Sequence, residues 1–222
     1  MPDMKTKNSG ATGEKPKGRP RSFDRDWALL RALDIFWRKG FEPASVAELC
    51  AAMEINPPSL YSAFGNKAKL FLEAVSYYER VYWKATWERL EKEPDITQAI
   101  EKFFSEAADI LLSPSAPCGC MVVLAAINVS QESADVVEAV SKLRQEGKDL
   151  FEKRLSRAVR EEQLPVNTST AALATVLNTL LEGMSIEAKD GATLESLRIT
   201  GRYASHLLPG GKNDRTKCEP QS

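Results

Sequence analysis

Two cysteines in the middle of the chain are the residues best placed for covalent chemistry. Cys118 and Cys120 flank Gly119 and follow Pro117, a run typical of a turn, and an apolar segment begins at Met121. Cys120 is therefore expected at the start of a helix, where peptide dipoles favour a thiolate and lower the pKa of the thiol. Such a thiolate reacts with oxidants or electrophiles, and Cys118 could serve as its resolving partner or as a second ligand for a soft metal such as Cu(I).

A second interpretation of Cys120 involves no reactivity. A free cysteine behaves as a small apolar side chain, so Cys120 could line a pocket that binds an effector reversibly. Aromatic residues earlier in the chain are the other candidates for such a pocket, although core packing is the better explanation for each of them taken singly. These candidates are Tyr78, Tyr82, Trp87 and Phe103.

The arrangements typical of enzymes do not accompany these cysteines. His206 is the sole histidine, and the cysteines at positions 50, 118, 120 and 218 match no zinc-site spacing. The sequence contains neither a glycine-rich phosphate loop nor a nucleophile elbow. A cysteine nucleophile would need a base that the sequence does not show. We therefore predict no catalytic residues, no metal and no cofactor.

Residues 44–67 carry a different chemistry, the recognition of DNA. They read as a helix, a three-residue turn and a short helix, which is the spacing of a helix-turn-helix whose second helix enters a major groove. The apolar side chains of the second helix recur four residues apart and are expected to face inward, which leaves an outward face suited to base edges and phosphates. That face consists of Pro58, Ser59, Tyr61 and Ser62. An ordinary helical hairpin is the alternative for this segment alone.

The local sequence supplies start signals for both helices. Ser45 is expected to cap the first helix, with Glu48 three residues on completing a capping box. Asn56 is expected to cap the second, with Pro57 in its first turn, where a missing N–H costs little.

A basic arm precedes these helices. Residues 1–22 are nearly free of apolar side chains and are expected to be disordered until something binds them. Arg19 and Arg21 belong to a Gly-Arg-Pro-Arg run that suits insertion into a narrow minor groove, whereas a solvated basic tail is the alternative. Residues 1–69 hold 12 Lys+Arg against 8 Asp+Glu, although the net charge of the chain is −1. This asymmetry favours an N-terminal end that faces nucleic acid.

As a whole, the chain resembles the TetR/AcrR family of bacterial transcriptional regulators. The resemblance is carried by residues 18–24, 32–41 and 60–67. Two later fragments, 118–122 and 182–185, resemble a subgroup with a Gly-Cys step in mid-chain. The resemblance implies about nine helices, of which the first three bind DNA and the others form a domain that dimerises and binds a small molecule.

The resemblance also implies roles for individual residues. Ser45, Tyr61 and Lys67 would contact phosphates, and residues of the second motif helix, including Pro57, would read bases. Ala63 stands where the family commonly has histidine, tyrosine or tryptophan, so one backbone contact is expected to be absent.

Two helices predicted near the end of the chain, at about 168–189 and 193–208, carry apolar stripes. The resemblance implies that they form a four-helix interface with a second copy of the chain, and small residues in the second stripe would allow close approach. The alternative is that the stripes pack within one chain. The candidate interface residues are Leu177, Leu180, Met184, Leu197, Gly201, Ala204 and Leu208.

These observations predict an all-α chain in four parts: a disordered basic arm (1–22), a helix-turn-helix DNA-binding domain (23–66), an effector-binding and dimerisation domain (67–209) and a flexible tail (210–222). The predicted function is that of a DNA-binding transcriptional regulator, a homodimeric repressor released from a double-stranded operator by a small-molecule or thiol-reactive effector. A helical protein–protein adaptor is the alternative. A polar N-terminus without a long apolar run favours a cytoplasmic location and no membrane contact.

Overall fold

The computed structural model describes residues 23–130 and 133–210, and within those ranges it contains helices and no strand. A π-helical turn, Glu79–Trp83, joins α4 to α5 in one rod; if the rod is counted once, the described ranges hold the nine helices that were predicted. None of these helices is both long and apolar enough to cross a membrane. The helices are α1 Arg25–Lys39, α2 Val46–Ala52, α3 Pro57–Phe64, α4 Lys67–Tyr78, α5 Lys84–Lys92, α6 Ile96–Leu111, α7 Met121–Leu124, α8 Ala134–Arg160, α9 Thr170–Lys189 and α10 Leu194–His206.

Side-chain caps define the starts of α2 and α3. Ser45 Oγ accepts the Glu48 amide at 3.1 Å, and Asn56 Oδ1 accepts the Ser59 amide at 2.9 Å, so both predicted caps are confirmed. The second half of the predicted capping box is wrong, because the Glu48 carboxylate pairs with Lys39 Nζ at 2.5 Å instead of returning to the backbone of Ser45. The ion pair fixes the start of α2 to the end of α1.

The core of the N-terminal helices is closed by α4. Leu60 and Phe64 of α3 are buried, as their spacing predicted, together with Met53 at the end of α2. Phe71 of α4 meets Phe36 of α1 edge to face, with ring centroids 5.1 Å apart. Because burying a large apolar side chain contributes roughly 1.5–3 kcal/mol, this cluster holds the short helices in place.

The remaining helices pack around the second half of the rod. Helix α6 lies along α10, and α8 lies along α9. Phe103 of α6 fills the centre, where its ring centroid lies 4.5 Å from that of Trp87 and 4.9 Å from that of Phe151. Phe103 is 2% exposed, which places it in the core.

A buried cation closes the end of the rod. Arg154 of α8 donates from Nε to the Leu90 carbonyl at 3.1 Å and from Nη2 to the Glu93 carbonyl at 2.8 Å and the Pro94 carbonyl at 3.1 Å. The last carbonyls of a helix have no partner within the helix, so the guanidinium stabilises the end of α5.

Six of the seven residues predicted for dimer contact are buried within the single chain, although Met184 and Leu197 also border an open groove between α9 and α10. A Cβ atom added at Gly201 would lie 2.8 Å from Phe104 Cβ, so the small-residue stripe of α10 admits α6 of the same chain. The expectation of availability to a second copy is corrected for the four residues that border no open groove, which are Leu177, Gly201, Ala204 and Leu208. Leu180 alone is half-buried, and the six buried residues are Leu177, Met184, Leu197, Gly201, Ala204 and Leu208.

Candidate DNA-binding surface and regulatory cavity

The outer side of α3 presents the predicted recognition residues. Pro57, Pro58 and Ser62 are exposed, Tyr61 is 49% exposed, and Ser59 is half-buried in the first turn. Hydroxyl groups on such a surface can donate to phosphate oxygens and to base edges. Sequence and structure therefore agree on which side of α3 faces outward.

Four capped helix starts belong to this domain. In addition to Ser45 and Asn56, Asp24 caps α1 by accepting the Asp26 amide at 2.9 Å, and Asn66 caps α4 by accepting the Lys69 amide at 2.8 Å. The remaining amides at the starts of α2 and α4 favour anions such as a phosphate, whereas the two prolines leave the start of α3 without free amides. The cap leaves the hydroxyl hydrogen of Ser45 free to be donated. Asn66 was missed in the sequence, where an asparagine directly before a helical run was the available signal.

Lys67 is held by two neighbours instead of extending freely. Its Nζ donates to the Glu42 carbonyl at 3.1 Å and lies 4.4 Å from the centre of the Phe41 ring. Desolvation lowers the pKa of Lys67. One N–H is used in this contact, and the other two can still reach a phosphate. Arg19 and Arg21, the predicted minor-groove residues, lie outside the described residues.

Residues 119–125, here called the linking segment, connect the DNA-binding domain to the rest of the molecule. Trp37 Nε1 donates to the Gly119 carbonyl at 2.8 Å. The Phe41 amide donates to the Ala125 carbonyl at 2.7 Å. Because both donors stand at the end of α1, a displacement of the linking segment must alter the way α1 is held.

The linking segment is also fixed to α9. The Cys120 amide donates to Ser185 Oγ at 2.7 Å. Gly119 has a φ of +85°, and a Cβ atom there would lie 2.5 Å from a methyl group of Leu124 and 2.9 Å from the Ser185 carbonyl oxygen. Only glycine satisfies both conditions without strain. Residues 118–122 and 182–185, the two fragments noted in the sequence, are therefore in direct contact.

Cys120 stands at the start of α7, as predicted, but its thiol is not acidic. Desolvation raises its pKa to about 11, although hydrogen bonds from Tyr78 and from amides of α7 oppose the rise. The predicted lowering is wrong because α7 has only 4 residues and the site is buried. Cys118 is exposed. In the described ranges, no group of three or more His, Cys, Asp or Glu side chains could hold a metal ion.

A cavity of about 100 Å³ lies beside Cys120. Trp87 and Cys120 are the two predicted pocket residues that line it. The sequence did not reveal its charged side chains, because they come from three helical segments that are distant in sequence. The side chains that characterise the cavity are Glu79, Trp83, Trp87, Cys120, Arg144 and Glu146.

The other aromatic candidates have packing roles. Tyr78 is fully buried, and its hydroxyl accepts Trp83 Nε1 at 2.6 Å. The ring centroid of Tyr82 lies 5.1 Å from that of Trp37. Phe103 belongs to the core described above. These three residues support the cavity and the linking segment without lining the cavity itself.

Glu79 is the least expected cavity residue. It lies in the π-helical turn between α4 and α5, and such turns often mark functional sites. Burial raises the pKa of Glu79 to about 7, and the nearby charge of Glu146 adds to the rise. A glutamate four residues before Trp83, within an aromatic-rich helix, was the signal that could have identified it.

Two family models match separate parts of the chain. Residues 29–74 match the model described as bacterial regulatory proteins, tetR family. Residues 97–197 match the model described as tetracyclin repressor-like, C-terminal domain.

Curated relatives match over most of their length. The HTH-type transcriptional repressor ComR of Escherichia coli is 31% identical over 197 residues, which cover 88% of this chain and 94% of ComR. The HTH-type regulator YezE of Bacillus subtilis is 30% identical over 182 residues, which cover 82% of this chain and 94% of YezE.

Solved structures share the fold. CifR, a TetR-family regulator with three cysteines replaced, in complex with 26-base-pair operator DNA, is 40% identical and has a TM-score of 0.83; the match covers 86% of this chain and 100% of that one. The reduced form of NemR from Escherichia coli is 20% identical with a TM-score of 0.69 over 82% of this chain and 92% of that one, which shows the fold alone.

Proposed function

Because this chain belongs to the tetR family of bacterial regulatory proteins and is a DNA-binding transcriptional regulator, we propose that it is a homodimeric repressor released from its operator when an effector occupies the cavity beside Cys120. One observation carries the proposal. The linking segment contributes Cys120 to the cavity and, through Gly119 and Ala125, accepts the hydrogen bonds that hold the end of α1.

Exposed apolar side chains on α9 and α10 support the homodimer. Val176, Leu180 and Leu207 line an open groove of about 560 Å³ between these helices. Tyr203 is 65% exposed and stands four residues before Leu207. Monomeric proteins rarely leave such a face uncovered, and a second copy would place two recognition helices in successive major grooves, roughly 34–36 Å apart. Of the residues that the sequence predicted for the interface, Leu180, Met184 and Leu197 line this groove.

The coupling between the cavity and DNA binding follows from a difference in the effector's affinity for two conformations of the protein. An effector that fits the cavity only when the linking segment is displaced stabilises molecules in which α1 is held differently. Such molecules have altered spacing between the two recognition helices, and the population therefore shifts away from the DNA-bound form. No catalytic step is needed.

The cavity suits a reversible ligand or a thiol-reactive effector. With a pKa of about 11, roughly one Cys120 thiol in 10⁴ is ionised at pH 7, so reaction with an electrophile is slow unless the reagent is held in place. Reversible binding carries no such restriction.

Fluorescence anisotropy of the full-length chain on DNA from upstream of its own gene tests the regulator. We expect tight binding, weak binding to a scrambled duplex, and an affinity that falls as salt rises with a slope of several ions. Equal affinity for the scrambled duplex would instead support the protein–protein adaptor.

Sedimentation velocity tests the dimer. We expect the parent to sediment as a dimer and Leu207→Glu to sediment as a monomer with weaker operator binding, because a charge in a buried interface is unfavourable. Val166→Glu is the matched control, since Val166 is 91% exposed outside α9 and α10. A parent that stays monomeric at micromolar concentration contradicts this part of the proposal.

A further inference from the structure

The cavity beside Cys120 combines aromatic walls with an excess of negative charge. The indole rings of Trp83 and Trp87 lie with centroids 6.3 Å apart. Three carboxylates line the same cavity, and Arg144 is the cation among its lining residues; the carboxylates belong to Glu79, Glu146 and Glu182.

The guanidinium of Arg144 does not neutralise these carboxylates. Its Nη1 donates to the Val122 carbonyl at 3.1 Å, and no ion pair joins it to an acidic side chain of the described residues. Glu146 lies 3.9 Å from Lys142 at the protein surface, and Glu182 accepts the side-chain amide of Asn178 at 3.0 Å. Glu146 and Glu182 therefore each have a partner within the protein.

Glu79 is different because it is half-buried and neither a hydrogen bond nor an ion pair from the described residues compensates the water that its carboxylate has lost. Desolvation and the charge of Glu146 both act against its ionised form. A carboxylate that loses hydration without gaining a partner is unfavourable, so a cation placed against it would be favoured.

Cations on the outer side of the π-helical turn are engaged elsewhere. Glu79 also borders an open depression that contains Arg80 and Lys84. The Arg80 guanidinium lies 5.2 Å from the centre of the Tyr77 ring, and Lys84 Nζ lies 4.0 Å from Glu88. On the cavity side of Glu79, the cation among the lining residues is Arg144, and its guanidinium is engaged with the Val122 carbonyl.

We propose that the cavity binds a small organic ammonium ion, with its positive centre against Glu79 and its alkyl groups against Trp83 and Trp87. Indole faces attract cations, and the attraction grows when water is excluded. A cavity of about 100 Å³ is smaller than one of roughly 150 Å³ that holds benzene, so the group bound inside it is smaller than benzene. This assignment of the ligand class rests on the proposed effector role of the cavity.

Isothermal titration calorimetry of the full-length protein with three probes of similar size tests the charge preference. The probes are tetramethylammonium, the neutral tert-butanol and the anionic trimethylacetate. We expect tetramethylammonium to bind and the other two to bind at least tenfold more weakly. Equal or tighter binding of tert-butanol or trimethylacetate overturns the proposal, as does a failure of tetramethylammonium to bind.

Two variants locate the site. Glu79→Gln should weaken tetramethylammonium binding at least tenfold, whereas Glu138→Gln, an exposed carboxylate on α8, should leave it unchanged. Because the cation favours ionised Glu79, the affinity of the parent should also rise between pH 6 and pH 8, and this rise should be lost in Glu79→Gln. Equal affinity in the parent and Glu79→Gln overturns the proposal.

Operator binding measured in parallel separates this inference from the proposed function. If the protein binds its operator but tetramethylammonium shows no charge-selective binding, the cation site is wrong and the regulator stands. If tetramethylammonium binds through Glu79 without changing operator affinity, the cation site stands and the effector role of the cavity is wrong.

Discussion

The polar side chains of the DNA-binding domain and those of the cavity beside Cys120 have opposite environments. On α3, Tyr61 and Ser62 are exposed and the capping side chain of Asn56 bonds to its own helix. In the cavity, burial raises the pKa of Glu79 to about 7 and that of Cys120 to about 11. The first region is ready to meet an external charge, whereas the second contains the half-buried Glu79 and the buried Cys120, whose charged forms are disfavoured by desolvation.

This difference shows how recognition and regulation can be divided within one chain. The recognition surface needs a rigid frame, which the caps and the core of the first four helices provide. Under the proposed function, the cavity needs a part that can be displaced, and the linking segment is the candidate because it contacts both the cavity and α1. The predictions below test this division, from the largest expected effect to the smallest.

Gly119→Ala should destabilise the protein by roughly 4 kcal/mol, because the new methyl group is strained at positive φ and overlaps Leu124 and the backbone of Ser185. Urea unfolding monitored by circular dichroism measures the change. Gly147→Ala is the matched control, since its Cβ atom would meet neighbours at 3.5 Å, an ordinary contact distance. Similar unfolding free energies for both variants would show that the linking segment is not tightly fitted.

Glu79→Gln should alter how stability depends on pH. A carboxyl group whose folded pKa is about 7 binds its proton more tightly in the folded state, so its contribution to stability is present at low pH and is lost as pH rises from about 4.5 to 7. The loss amounts to as much as about 3 kcal/mol. Urea unfolding at pH 5, 6, 7 and 8 should show a smaller decline in Glu79→Gln than in the parent and in Glu138→Gln. Identical declines in all three proteins contradict the buried position of Glu79.

Tyr61→Phe should weaken DNA binding about fivefold, the equivalent of one lost hydrogen bond of about 1 kcal/mol, and equally for all DNA sequences if the hydroxyl contacts a phosphate. Ser62→Ala should instead change the preferred base sequence. Anisotropy with operator and scrambled duplexes distinguishes the two outcomes, and Tyr77→Phe on α4 is the control. A sequence-dependent effect of Tyr61→Phe would place Tyr61 at a base edge.

Trp37→Phe should reduce the coupling between cavity and DNA while changing operator affinity itself by less than threefold. The substitution keeps an aromatic ring but removes the N–H that bonds to the Gly119 carbonyl. The ratio of operator affinities with and without an occupied cavity measures the coupling. Trp27 lies on the same helix and is 39% exposed, so Trp27→Phe is the control and should leave the coupling unchanged.

Local signals made the DNA-binding domain predictable from sequence. Ser45 and Asn56 cap the helices that follow them, and the four-residue spacing of Leu60 and Phe64 determines which side of α3 is buried. Each of these interactions involves neighbours in the sequence, so periodicity and capping rules are sufficient.

The cavity was only partly predictable because its properties come from distant contacts. The position of Cys120 followed from the turn before it, but the pKa of its thiol depends on burial by other helices. The stripe on α10 was correct as a stripe, but its partner at Gly201 was wrong, because periodicity does not show whether Gly201 faces Phe104 or a second copy. Glu79 depends on a π-helical turn, which the apolar pattern does not reveal.

The most direct test of the coupling is to occupy the cavity covalently. Methyl methanethiosulfonate would transfer a methylthio group to Cys120, and mass spectrometry would confirm the site while anisotropy measures operator affinity. We predict slow modification that accelerates about tenfold per pH unit up to pH 9, followed by loss of operator binding that dithiothreitol reverses. After the same treatment, Cys118→Ser should lose operator binding as the parent does, whereas Cys120→Ser should keep it. If the protein modified at Cys120 bound its operator as tightly as the reduced protein, the cavity would not control DNA binding.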